Sequence, residues 1–163
     1  MVTVLLLAGG ESRRMGADKA LMHGGVERLR QLAIECHAER TITLCGSIER
    51  ENMFNGEVWA DPLTCETLSE VIEWALSLIE GDVQLICCDA FNLESDGLQQ
   101  LILSGGGVPV DEVGNRQPLL ANCPEGWSVG ENDGTVSSLF QELESLDLGL
   151  LSYQMKNFNL PDD

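Results

Sequence analysis

A three-layer α/β fold, one domain with a mostly parallel sheet covered by helices on both faces, is what this sequence predicts. Three observations carry that expectation. Two largely apolar runs, residues 2–7 and 83–88, have strand length and end in turn-forming or acidic residues, as strands buried on both faces do. Between such runs, apolar residues recur at helical spacing, most clearly in residues 66–80. The length, 163 residues, is that of one ordinary domain, so a single unit over 1–163 is expected.

In chain order, Val2–Leu7 is the first strand. Residues 8–19 follow as a polar, glycine-bearing loop. Residues 26–37 set Val26, Leu29, Leu32, Ala33 and Cys36 on one helical face. Short β-rich runs come at 41–45 and 58–60, the second ending at Asp61-Pro62. The 66–80 helix turns Leu68, Val71, Ile72, Ala75, Leu76 and Ile79 inward. Residues 83–88 form the next strand, ending at Asp89. A helix over 96–103 is stopped by the glycines at 105–107. Strands are expected at 108–110 and 117–122 around a turn at 111–116. A helix at 136–146 with Leu139, Phe140, Leu143 and Leu146 inward comes next, then a last strand at 148–153 and a polar tail. Strands alternating with helices imply a parallel sheet. Such sheets bind ligands outside the carboxyl ends of their strands, so residues just after strands are the candidates.

Composition narrows the function. With 44% hydrophobic and 22% charged residues the chain is globular, and no apolar run approaches the roughly 20 residues of a membrane span. The first seven residues lack a basic flank and run into glycines, which reads as a strand and not a signal peptide; a cytoplasmic protein is expected. The net charge of −18 opposes binding to nucleic acid or to an anionic membrane surface. It is uneven: residues 1–30 hold five basic and three acidic groups, and the other 133 hold four and 24. A polyanionic ligand should therefore favour the N-terminal segment. The six cysteines form no C-x-x-C pair and read as reduced packing thiols. His23 and His37 show no catalytic pattern, and Trp59, Trp74 and Trp127 are scattered as packing residues are.

The loop after the first strand reads Leu7-Ala8-Gly9-Gly10-Glu11-Ser12-Arg13-Arg14-Met15-Gly16-Ala17-Asp18-Lys19. Its spacing is neither that of a Walker A loop nor of a G-x-G-x-x-G fingerprint. The physics is related. Gly9 and Gly10 let main-chain N–H groups approach a phosphate or base. Arg14 and Lys19 can place positive charge on a triphosphate. This run resembles L-A-G-G-x-S-x-R-M-G-x-D-K, the signature loop of the molybdenum cofactor guanylyltransferase (MobA-type) family, and matches it without a gap. The related cytidylyltransferases usually carry A-A-G where this chain has Ala8-Gly9-Gly10, so the resemblance implies GTP.

The resemblance implies a Rossmann-like nucleotide-binding fold. It also implies transfer of GMP from GTP to molybdopterin, with Mg²⁺ as cofactor. It assigns the nucleotide to Leu7, Ala8, Gly9, Gly10 and Lys19, with Arg14 and Lys19 on the triphosphate. By position alone Asp89 could bind Mg²⁺ or cap the next helix; Cys88-Asp89 is similar to the family's C-D dipeptide, which implies metal and nucleotide binding. Asp61 is by position an ordinary turn residue or a ligand; the resemblance implies a nucleotide contact. Asn157-Phe158-Asn159-Leu160-Pro161-Asp162-Asp163 is similar to the family's N-x-N-x-P-x-D segment, which sets Asn157 and Asn159 near the metal and the acceptor phosphate. Residues 117–121 resemble an acceptor-side segment. Cofactor-synthesis proteins or molybdoenzyme chaperones are the implied partners.

The chain also departs from the pattern. Leu63-Thr64-Cys65-Glu66-Thr67-Leu68 stands where the family has G-P-L-A-G-I. Cys45-Gly46-Ser47 stands where an asparagine is common, and Ala90-Phe91 lacks a proline. Only Arg116 and Lys156 are basic in the acceptor half. These differences keep two alternatives open: a catalytically silent nucleotide-binding relative with a regulatory role, and cytidylyl or another nucleotidyl transfer.

Overall fold

The computed structural model describes residues 1–9 and 19–158. Its main sheet has five strands: β1 (Val2–Leu7), β2 (Arg40–Gly46), β3 (Glu57–Ala60), β4 (Asp82–Cys87) and β6 (Asn122–Cys123). They lie in the order β3-β2-β1-β4-β6, with β6 alone antiparallel. A second, two-stranded parallel pair joins β5 (Val108–Pro109) to β7 (Ser145–Leu146).

The alternation of side chains along β1 explains why both of its faces are apolar, with Thr3 its one polar residue. Val4 and Leu6 point to one face, where they meet Val26, Leu29, Leu32 and Ala33 of α1 (Gly25–Glu35) and Leu98 and Leu101 of α3 (Ser95–Leu103). Leu5 and Leu7 point to the other, against Val71, Ile72 and Ala75 of α2 (Leu68–Leu78). Every residue of β1 is buried, so each face carries its own core. Full burial of one such leucine stabilises by about 1.5–3 kcal/mol.

Local chemistry sets the helix ends. α1 stops in a Schellman arrangement: Ala38 N–H donates to Ala33 O and His37 N–H to Ile34 O, with His37 at φ 63°. α2 starts at Thr67, whose hydroxyl accepts from Glu70 N–H. α3 is capped from far along the chain: Gln154 Oε1 accepts from Glu94 N–H at 2.9 Å, and Gln154 Nε2 donates to Asp96 Oδ1 at 2.8 Å.

Three expectations fail here. Residues 117–122 are not one strand; a 3₁₀ turn at Pro118–Leu120 precedes β6, because Pro118 has no N–H for a ladder and Gln117 turns in to donate to Asp111 Oδ2. The helix expected at 136–146 is only α4, Val136–Leu139, since the chain leaves helical geometry at Phe140 and then pairs β7 with β5. The strand expected at 148–153 is a 3₁₀ helix, Gly149–Met155, which carries Gln154 to the start of α3. The six cysteines are free thiols, four of them buried, as packing residues would be. Trp59 packs on Trp74, and Trp127 stacks on Phe140. No helix among the described residues is long and apolar enough to cross a membrane.

Candidate functional site

Four parallel strands end side by side at one edge of the sheet. The chain leaves β1 through α1, packed on one face, and enters β4 from α2, packed on the other. The strand order therefore reverses between β1 and β4, the place where open α/β sheets form a crevice. Backbone bonds draw the strand exits together. Asp61 N–H donates to Gly46 O at 2.8 Å, Ala8 N–H to Leu44 O at 2.9 Å, and Cys88 N–H to Leu7 O at 3.2 Å. Leu7, Ala8, Gly9, Asp61 and Asp89 thus gather along one rim. Gly10, Arg14 and Asn159 lie outside the described residues. The backbone of Lys19 opens a 3₁₀ helix, Lys19–Gly24, that leads into α1.

Gly9 is required by contact with the neighbouring backbone. A Cβ there would lie 2.7 Å from Gly46 Cα and 2.8 Å from Gly46 N. Gly46 itself has φ 84°, in the left-handed region. The residues standing where an asparagine is common are therefore a close backbone crossing of the β1 and β2 exits.

Arg50 reinforces that crossing and was not legible in the sequence. It lies in the 3₁₀ helix Ile48–Met53, where its Nε donates to Cys45 O at 2.8 Å and its Nη2 to Ala8 O at 2.9 Å. Its guanidinium carbon lies 5.7 Å from the Phe54 ring centroid. It ties the first residue after β1 to β2 and places positive charge at that exit.

A cavity of about 170 Å³ opens beside Gly9. Leu7, Leu44, Leu68 and Val71 make it apolar, while Asp61, Glu66 and Thr67 supply polar groups. Asp61 is exposed overall, yet partial loss of water at this wall raises its carboxyl above the usual range. The segment that departs from the family pattern, 63–68, is a turn with Cys65 N–H donating to Pro62 O, and it builds one side of this cavity.

Asp89 is buried, with 7% of its surface exposed, immediately after β4. Beside it the Cys87 thiol is driven well upward, by burial first and then by the charge of Asp89 and a hydrogen bond to it. Cys87 thus stays a neutral thiol. The turn that follows has Ala90 N–H donating to Cys87 O and Phe91 N–H to Asp89 O. From α1, Arg28 holds this turn by donating to Leu93 O at 2.8 Å and Ala90 O at 2.9 Å. That clamp fixes a stretch which lacks proline. It also narrows an expectation: Arg28 serves the fold, and Arg30 pairs with Glu27 at 2.7 Å, so neither is a spare cation for a polyanion.

The C-terminal segment comes back to this turn. Phe158 packs on Phe91 at 5.4 Å, Phe91 on His23 at 4.6 Å, and Lys156 Nζ lies 4.7 Å from the Phe158 centroid. Asn157 adjoins Phe158, which packs on the turn after Asp89, and its Oδ1 is a buried acceptor without a hydrogen-bond partner among the described residues. Such an orphaned oxygen suits a cation. No group of three His, Cys, Asp or Glu side chains that could hold a metal occurs among the described residues. The buried Asp89 carboxylate and the orphaned Asn157 oxygen are oxygen donors of the kind that would suit Mg²⁺, which takes one or two protein oxygens and draws others from phosphates and water. The acceptor-side Arg116 is tied down: it donates to Ser145 Oγ at 2.7 Å and Phe140 O at 2.9 Å.

The arrangement defines a three-layer α/β protein with a crevice at its topological switch point, lined by a glycine and strand-end carboxylates. The same fold occurs in solved structures. A protein of Aquifex aeolicus is similar with TM-score 0.74 and 18% identity, over 96% of this chain and 92% of that one. Molybdopterin-guanine dinucleotide biosynthesis protein A from Archaeoglobus fulgidus is similar with TM-score 0.69 and 18% identity, over 98% and 93%. The 4-diphosphocytidyl-2C-methyl-D-erythritol synthase of Anaerococcus prevotii shares it with TM-score 0.57 and 8% identity, over 99% and 93%. No protein-family model and no curated protein sequence matches the chain.

Proposed function

We propose that this protein is a nucleotidyltransferase that moves GMP from GTP to the terminal phosphate of molybdopterin. The observation that carries the reading is the convergence of Gly9, Asp61 and Asp89 at adjacent strand exits. The ungapped match from Leu7 to Lys19 and a fold shared with known nucleotidyltransferases support it.

An oxygen of the acceptor phosphate attacks the α-phosphorus of GTP. The bond from that phosphorus to the oxygen bridging the β-phosphate breaks, and pyrophosphate leaves with the bond's electrons. Little covalent chemistry falls to the protein, and positioning carries the rate. The main chain at Leu7, Ala8, Gly9 and Gly10 lies along the nucleotide. Lys19 and Arg14 neutralise the phosphates. Asp61 and Glu66 are acceptors suited to the adjacent N1–H and amino donors of guanine, an edge that cytosine does not present. Asp89 with Asn157, joined by Asn159, would hold Mg²⁺, which stabilises negative charge on phosphate oxygens when bound.

Calorimetric titration with GTP and with CTP in Mg²⁺, on the wild type and Lys19→Ala, tests the nucleotide site. GTP binding in the micromolar range that depends on Lys19 is expected. Tight CTP binding instead would move the chain to cytidylyl transfer. Turnover with molybdopterin should disappear in Asp89→Ala while its circular dichroism stays that of the wild type; near-normal rates would remove Asp89 from the metal role. The segment 63–68, which departs from the family pattern and builds one side of the cavity, favours one second reading, a catalytically silent relative. Lys19-dependent GTP binding without pyrophosphate release in the presence of acceptor would establish it.

A further inference from the structure

A second cavity lies at the end of the sheet opposite the crevice. It measures about 700 Å³ and is bounded by the second half of α2, the start of β4, the end of β6 and the loop 124–129. Its apolar lining comes from Leu76, Ile79, Val83 and Cys123, together with the half-buried indole of Trp127. Phe140 stacks on that indole at 5.9 Å between centroids and 25° between planes, which fixes it as a wall. Cys123 is 3% exposed, and burial pushes its thiol up to about 12, so it adds no negative charge to the lining.

The charge on this cavity has one sign. Glu73, Glu80 and Glu125 line it, and no lysine, arginine or histidine does. None of these carboxylates has an ion pair among the described residues. A bare divalent metal would engage the carboxylates and leave the apolar lining without a partner. A neutral apolar ligand would leave the carboxylates unanswered. An extended cation answers both features, with methylene segments on the apolar lining and ammonium groups reaching the separated carboxylates. Trp127 offers a π face to one of those groups. The volume falls within the range of about 300–1,000 Å³ that small-molecule sites occupy.

We infer that the cavity bounded by Glu73, Glu80, Glu125 and Trp127 is a binding site for a small, extended organic polycation of the aliphatic polyamine class. It is separate from the nucleotide crevice and does not depend on how that crevice is read.

The test is calorimetric titration of the full chain with spermidine, paired with tryptophan fluorescence. One-to-one binding is expected. The triple variant Glu73→Gln, Glu80→Gln, Glu125→Gln should weaken it at least about tenfold, as loss of complementary charge at a bound ligand does. A control triple of equal charge change on exposed residues elsewhere, Glu35→Gln, Glu39→Gln, Glu112→Gln, should change it less than about twofold. These side chains are exposed, so neither variant threatens the fold. Trp127→Leu should abolish the fluorescence response, and Lys19→Ala should leave binding unchanged. Three results would overturn the inference: no saturable binding at millimolar spermidine, equal weakening in both triples, or displacement of spermidine by an equal concentration of Mg²⁺. Binding of a basic amphipathic peptide, but not of spermidine, would overturn it as well and reassign the cavity to a protein partner.

Discussion

At the scale of single residues, the crevice depends on backbone crossings that side chains either permit or pin. Gly9 permits one, since a methyl group in its place would strike the main chain of Gly46 at 2.7 Å. Backbone cannot rotate aside as a side chain can, so Gly9→Ala must part the β1 and β2 exits. Overpacking of this kind costs about 1–3 kcal/mol. Urea unfolding should show the midpoint falling by that amount with an unchanged slope. GTP affinity should fall further than the stability loss explains, because Ala8 and Gly9 move with the crossing. A variant with wild-type midpoint and affinity would mean that the loop accepts a side chain. Arg50 is the pinning counterpart, and its two bonds to Cys45 O and Ala8 O act on the same crossing from below. Nothing in the local pattern around residue 50 announces this, because a guanidinium bonded to carbonyls leaves no signature in sequence. The post-strand positions of Asp61 and Asp89 were legible for the opposite reason: each follows a β-prone run, short and half-buried before Asp61 and buried before Asp89.

At the scale of elements, legibility followed how many faces an element buries. β1 and β4 were readable as largely apolar runs, and α2 as a helical stripe, because packing imposes those patterns on sequence. The stretches at 117–123 and 136–155 obey distant partners instead. β5 and β7 pair over two residues, and Gln154 was recruited to cap α3 from 58 positions away. α4 is the extreme case, a helix of four residues held by its own start. Thr135 caps it by accepting from Ser138 N–H, while Asp133 Oδ1 accepts from Thr135 N–H and from Thr135 Oγ1. These bonds, that from the Thr135 hydroxyl first, lower the Asp133 carboxyl from 3.8 to about 2. A depressed carboxyl contributes stability that is present above its ordinary value and lost as pH falls through its folded value. The loss attributable to Asp133 should therefore run from near pH 3.8 down to about 2. Asp133→Asn should flatten the acid limb of the stability profile across that window, read by urea midpoints at successive pH values. An acid limb parallel to that of the wild type would show that the α4 start does not respond to this charge.

For the molecule as a whole, the dominant fact is a net charge of −18 on 163 residues. Local pairs relieve it only at places such as Arg30 with Glu27 and Arg40 with Glu57, and both acidic partners are exposed to water. Exposed pairs contribute little, typically less than about 1 kcal/mol each. The remaining carboxylates repel one another, and folding brings them closer than they are in the unfolded chain. Salt acts on these two effects in opposite directions. It weakens the pairs, which span a few ångströms, but it weakens the long-range repulsion more. The screening length shrinks from about 30 Å at 0.01 M to about 10 Å at 0.1 M. Repulsion summed over 27 acidic groups should outweigh a few exposed pairs. The melting temperature should therefore rise as sodium chloride is raised across that range, and rise further when Mg²⁺ replaces sodium at equal ionic strength, since Asp89 and Asn157 would bind it in the folded state alone. Asp89→Ala separates the two contributions: it should keep the sodium response and lose the extra increment from Mg²⁺. A melting temperature that falls with salt would mean that the ion pairs, and not the summed repulsion, govern the electrostatics of this fold.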